Sequence, residues 1–265
     1  MNRWLFVVLL GIGSLGVAIA FAQERARKAF AEDGFRSDGR RTAAMTLLAL
    51  VLLLTVALPF STGLAGNEPD VRGLSRLSLF AVHIVLLAFL AGYYLLSGRR
   101  SPGEFFALSA RGPAGEVGLG ALIGIAGWVL TAVAAQIGIA VWMALRPKDA
   151  ALPTPAGMAP TILWIVSQPL WLRIAVVLSA MVVEELFFRS FLQTRVGPVA
   201  ATLMFAAAHG VYGQPLLVAG VLVIAAVLAA TFAVRRNVLP CIVAHGTYDA
   251  IQMFVVIPLV LKQVG

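Results

Sequence analysis

Two adjacent carboxylates, Glu184 and Glu185, stand inside the stretch Met181-Val182-Val183-Glu184-Glu185-Leu186-Phe187-Phe188-Arg189, which is otherwise apolar enough to cross a bilayer. Ionisable groups at that depth are costly, so they mark a functional site whose partners must lie elsewhere in the chain. Three partners are available: His209 in Phe205-Ala206-Ala207-Ala208-His209, and His245 with Asp249 in His245-Gly246-Thr247-Tyr248-Asp249. Carboxylates beside imidazoles are the equipment of general acid–base chemistry on water.

Spacing divides the labour. Glu185 and Arg189 are four apart, in the order that favours a helical ion pair. That pairing would keep Glu185 ionised and fix the rotation of its helix, a structural role. Glu184 is turned about 100° away and has no pair on its own helix, which makes it the candidate general base. His245 and Asp249 share one helix face. His83 has no ionisable neighbour at helical spacing and reads as a core or interfacial residue. Phe187, Phe188, Phe191 and Trp164 read as packing or lipid-facing groups.

These residues must be carried by membrane helices. Of the 265 residues, 60% are hydrophobic and only 12% charged, about half the charge of a soluble domain; the mean hydropathy is +0.94. Strand alternation is absent. The expected fold is all-α, a polytopic transmembrane bundle of about eight spans. The spans are placed at residues 4–21, 42–64, 77–97, 117–145, 172–193, 197–212, 215–234 and 238–261. Proline-rich residues 146–160 are the expected break. It separates an N-terminal region of four helices (1–150) from a C-terminal four-helix catalytic region (161–265), which opens with an interfacial segment at 161–171.

The first span resembles a signal peptide, but the basic cluster Arg25, Arg27 and Lys28 behind it favours an uncleaved helix. With the N-terminus outside, inner loops hold 13 Lys and Arg and outer loops 7, in agreement with eight spans and both termini outside. The net charge of +8 is concentrated in these short loops, a signature of topology and anionic lipid rather than of nucleic acid. Phe105-Phe106-Ala107-Leu108 is expected in the membrane interface. Gly120 and Gly124 permit close helix packing. Cys241 is the single cysteine, which rules out an intrachain disulfide and a thiolate metal cluster.

Taken at about 1.5 Å per residue, Glu184 lies about 16 Å from Arg195, His209 about 18 Å from Gly197 and His245 about 13 Å from Arg236. Three helices thus deliver carboxylates and imidazoles to a similar depth. In this order, Glu184-Glu185-x-x-x-Arg189, Phe205-x-x-x-His209 and His245-x-x-x-Asp249 resemble the three motifs of the CPBP family. That family contains type II CAAX prenyl proteases and the bacteriocin-processing or abortive-infection (Abi) membrane proteins.

The resemblance covers about residues 172–261 and implies an intramembrane endopeptidase with a cavity open to the cytoplasm. By similarity, Glu184 activates water assisted by His209, while His245 and Asp249 act on the scissile carbonyl. An ionised Asp249 cannot donate to an oxyanion, so it is either protonated or orients His245. The implied substrate is a membrane-anchored or lipidated peptide or protein. Metal-free catalysis is expected; the alternative is zinc on Glu184, His209 and His245, although H-E-x-x-H is absent. Outside proteolysis, the same groups would suit a proton-coupled transporter or a non-catalytic immunity protein.

Overall fold

The computed structural model describes residues 14, 16–64, 71, 74–98, 101–109, 112–145, 160–212 and 214–264. The expected first span, the loop at 66–76 and the break at 146–160 lie wholly or largely outside them. The described residues are helical, with no strand among them. An amphipathic helix α1 (Glu24–Ala31) leads to α2 (Asp38–Leu52), which continues through a π-helical stretch at Leu53–Ala57 to Leu58–Leu64. Then come α3 (Ala81–Leu96), α4 (Pro113–Leu145), α5 (Leu170–Glu185), α6 (Pro198–Ala208), α7 (Pro215–Arg235) and α8 (Leu239–Ile251).

Among the described residues, five helices are long and apolar enough to cross a membrane: Asp38–Thr62, Arg76–Leu96, Pro113–Leu145, Leu216–Arg235 and Leu239–Lys262. Pro198–Tyr212 is apolar but shorter, and α5 carries Arg173 and both glutamates. The outer faces suit hydrocarbon. Leu50, Leu54, Leu87, Leu122, Val133 and Ile137 are all exposed, whereas polar backbone stays satisfied inside the helices. This is a multi-pass membrane protein.

The N-terminal helices wall the motif-bearing ones. Gly120 and Gly124 put the backbone of α4 directly against α8. A Cβ at Gly120 would come 2.7 Å from the Pro240 carbonyl oxygen, and one at Gly124 would come 2.6 Å from that of Ala244. The GxxxG spacing therefore serves contact within the chain. The far end of α2 packs on the turn after α6, where a Cβ at Gly210 would come 3.0 Å from the Phe60 Cα. α3 lies on α5.

Two expectations change here. Of the segment expected in the interface, Phe105 is buried in the protein, its ring packed edge-on against Tyr94 and Phe106, and Ala107 accepts a backbone hydrogen bond from Val238 at 3.0 Å, whereas Leu108 is exposed. Apolar surface on a short loop is better covered by the helix ends above it than by headgroups. Arg195, one of the 13 basic residues counted on the inner side, is also buried. Its guanidinium grips Asp33 at 2.7 and 3.0 Å, stacks 3.9 Å from the Phe191 ring centroid, and shares Asp33 with the Tyr93 hydroxyl at 2.7 Å. This network fastens α1 to the helix that carries Glu184. Phe187, Phe188 and Phe191 are packing groups, all buried in the core with Phe89 and Phe205.

Candidate functional site

α5 reaches Glu185 as a regular helix and then continues as a π-helical stretch, Leu186–Gln193. Another such stretch, Gln252–Val256, comes after α8 just beyond Asp249. Bonds there run i to i+5, and each inserted residue rotates the remainder of the helix by about 100°. Arg189 lies within the first of these stretches, whereas Glu184, Glu185, His245 and Asp249 stand on the regular helices that precede them.

The structure brings all six motif residues into one cluster. Glu185 and Arg189 are fully buried, with Arg189 Nε donating to Glu185 Oε2 at 3.1 Å. The remaining guanidinium nitrogens make no hydrogen bond to protein; the group lies 5.0 Å from the Phe205 ring centroid instead, a cation–π contact. The second oxygen of Glu185 is also used, since His245 Nδ1 lies 2.9 Å from Oε1. Glu185 thus ties its own helix to α8 and sets the imidazole of His245. The other ring nitrogen, Nε2, is 3.3 Å from Asp249 Oδ2. His245 is held at both ends by carboxylates, and Asp249 is the more exposed of the two, at 29% against 0% for Glu185.

His209 begins the 3₁₀ turn His209–Tyr212 that ends α6. Its Nδ1 lies 2.9 Å from the Phe205 carbonyl oxygen, an acceptor, so Nδ1 carries the proton and donates. Its ring stacks on Phe205 at 4.7 Å. This fixes the direction of Nε2, which faces Glu184 Oε2 at 3.9 Å. Glu184 is nearly enclosed, with 12% of its side chain exposed. Oε2 is buried and makes no hydrogen bond to protein, while Oε1 is held by His83 Nε2 at 3.3 Å.

His83, read as a core or interfacial residue, is indeed buried, but that last contact also joins it to Glu184, which the reading did not foresee. α3 is apolar on every side, because lipid is as apolar as the protein core, so its sequence does not disclose which face turns inward. Only the packing does: His83, Leu86, Leu90 and Tyr93 form its buried stripe. Tyr212, whose ring is 5.9 Å from that of His209, is a further neighbour that the motifs do not mark.

Among the described residues, no group of three His, Cys, Asp or Glu side chains is arranged to hold a metal ion. The donors expected for zinc are Glu184, His209 and His245, and both ring nitrogens of His245 are already taken by carboxylates. The cluster is equipped to take a proton from water at Glu184 Oε2 and to present an imidazole on a second helix. Comparison with known proteins gives one result of weight: residues 166–251 match the family model described as type II CAAX prenyl endopeptidase, Rce1-like. No curated protein and no solved structure matches the chain.

Proposed function

We propose, with that match over residues 166–251 as the premise, that the chain is an intramembrane endopeptidase acting through a glutamate-activated water. The observation that carries this is the asymmetry of Glu184. One of its oxygens is hydrogen-bonded, and the other is buried, opposite His209 Nε2 and without a hydrogen bond among the described residues. A carboxylate in that setting has one free lone-pair site, with an imidazole beside it to help align a water.

In this reading Glu184 Oε2 takes a proton from the water as its oxygen attacks the scissile carbonyl carbon. The resulting oxyanion is met by His245. Asp249, the more exposed partner on His245 Nε2, orients the ring and yields that N–H to the substrate oxygen. As the tetrahedral intermediate collapses, the C–N bond breaks and the proton held by Glu184 passes to the leaving amine. His209 keeps the water aligned, and Glu185 with Arg189 fixes the helix and the His245 ring. The electrostatic contribution comes from donors already in place before the substrate arrives.

The same proposal includes the finer architecture. Residues 172–193 and 197–212 cross the membrane with the five longer apolar helices found among the described residues. The chemistry sits on residues 161–265, walled by the helices of residues 1–150. The substrate is a membrane-anchored or lipidated protein with a flexible tail, since only such a chain reaches a site about 13 to 18 Å from the helix ends. Metal-free chemistry is favoured by the engagement of His245 at both nitrogens; zinc remains the alternative that a chelator separates.

The test uses purified protein in liposomes with fluorogenic peptides on a prenyl anchor, on an acyl anchor, and without an anchor. Anchored peptides should be cleaved, and chelators should leave the rate unchanged. Glu184→Gln should lower the chemical step by about 10²-fold or more. Full activity in Glu184→Gln, or cleavage of soluble globular proteins alone, would overturn the proposal.

A further inference from the structure

The matched region begins at residue 166, yet one imidazole of the cluster comes from much earlier in the chain. His83 sits on the inward stripe of α3 and is 9% exposed. Its two ring nitrogens meet two residues of α5, Ser179 and Glu184, at distances of 2.9 and 3.3 Å. The orientation of the ring is set by a proton count. Ser179 has one hydroxyl proton and lies 2.9 Å from the Val176 carbonyl oxygen, which can only accept. The assignment that satisfies both serine contacts has Ser179 donating to Val176 and accepting from His83 Nδ1–H. Nε2 is then the nitrogen presented to Glu184 Oε1, and it donates the one proton that this contact holds.

The consequence is geometric. A glutamate has three rotatable bonds, and an untethered carboxylate would present either oxygen to His209. Here Ser179 sets the ring, the ring pins Oε1, and Oε2 alone is left towards His209 at 3.9 Å. The anchor is not on α5 itself but on a helix from the other end of the chain.

We propose that His83 is a positioning residue for Glu184, supplied by the N-terminal region. It selects which carboxylate oxygen faces the reacting water, with Ser179 fixing its ring. The proposal rests on the endopeptidase reading for its kinetic consequence, but the contact itself can be read without turnover.

The experiment takes the full-length protein as wild type, His83→Phe, His83→Gln and Ser179→Ala. Each is melted thermally and assayed for kcat and KM on an anchored peptide. A misplaced base is expected to cost about 10- to 100-fold. His83→Phe should therefore lower kcat by that factor with KM within about threefold. Glutamine can place a donor where Nε2 stood, so His83→Gln should recover most of kcat. Ser179→Ala should fall between wild type and His83→Phe. A merely structural histidine would be replaced as well by phenylalanine as by glutamine, and that result would overturn the proposal.

The second arm records the ¹⁵N spectrum of histidine-labelled protein, with His83 assigned by its loss in His83→Gln. Its Nε2 resonance should move in Glu184→Gln, and its Nδ1 resonance in Ser179→Ala. An unmoved Nε2 resonance means there is no contact, and the proposal falls whatever the kinetics. If wild type cleaves nothing while the resonances move, the endopeptidase reading fails and the tether between α3 and α5 stands.

Discussion

The two adjacent glutamates should fail in different ways, and Glu185 shows why. Glu185→Gln keeps the shape of the side chain but removes the charge opposite Arg189, at a place where both side chains are fully buried. The guanidinium already leaves two nitrogens without hydrogen bonds to protein, so the lost carboxylate has no substitute within reach. Breaking a buried pair by removing one partner costs about 3–5 kcal/mol. At about 2–4 °C per kcal/mol for a chain approaching this size, the melting temperature should fall by roughly 6–20 °C. Glutamine has one acceptor oxygen where the carboxylate has two, so it cannot serve both Arg189 Nε and His245 Nδ1, and activity falls with stability. The assay is a thermal melt in detergent of wild type, Glu185→Gln, Arg189→Leu and the double variant, beside Glu184→Gln. Removing the orphaned charge should return part of the loss, so the double variant should melt above Glu185→Gln. If Glu185→Gln melts within about 2 °C of wild type while Glu184→Gln melts early, the structural and chemical roles of the two carboxylates are reversed.

The contact of α4 with α8 gives a steric prediction. A Cβ at Gly124 would lie 2.6 Å from the Ala244 carbonyl oxygen and 2.7 Å from Thr247 Cβ, whereas one at Gly118 meets nothing within 4 Å. Gly124→Ala should destabilise by about 1–3 kcal/mol and reduce activity by shifting His245, and Gly118→Ala, read in the same melt and peptide assay, should do neither. Orientation is tested by thiol labelling in intact cells: cysteines at Ser37 and Ser101 should be shielded from an impermeant reagent and one at Asn67 should react, and labelling at Ser37 would invert the topology.

The sequence by itself determined what the chain is made of and which ionisable residues its apolar helices carry. Hydropathy demanded membrane helices, because a backbone in hydrocarbon must satisfy its own hydrogen bonds. Glu184, Glu185, His209, His245 and Asp249 were legible because an ionisable group in an apolar span stands out against its surroundings. Spacing sufficed for Glu185–Arg189 and His245–Asp249, since residues four apart on a helix meet whatever the helix packs against. Tertiary structure decided whatever depends on which face a helix turns inward. Nothing local joins Glu185 to His245, 60 residues on, or Asp33 to Arg195, 162 residues on. His83 is the clearest case. On a helix apolar all round, a histidine carries no mark of its partner, and only the docking of α3 on α5 brings it to Glu184.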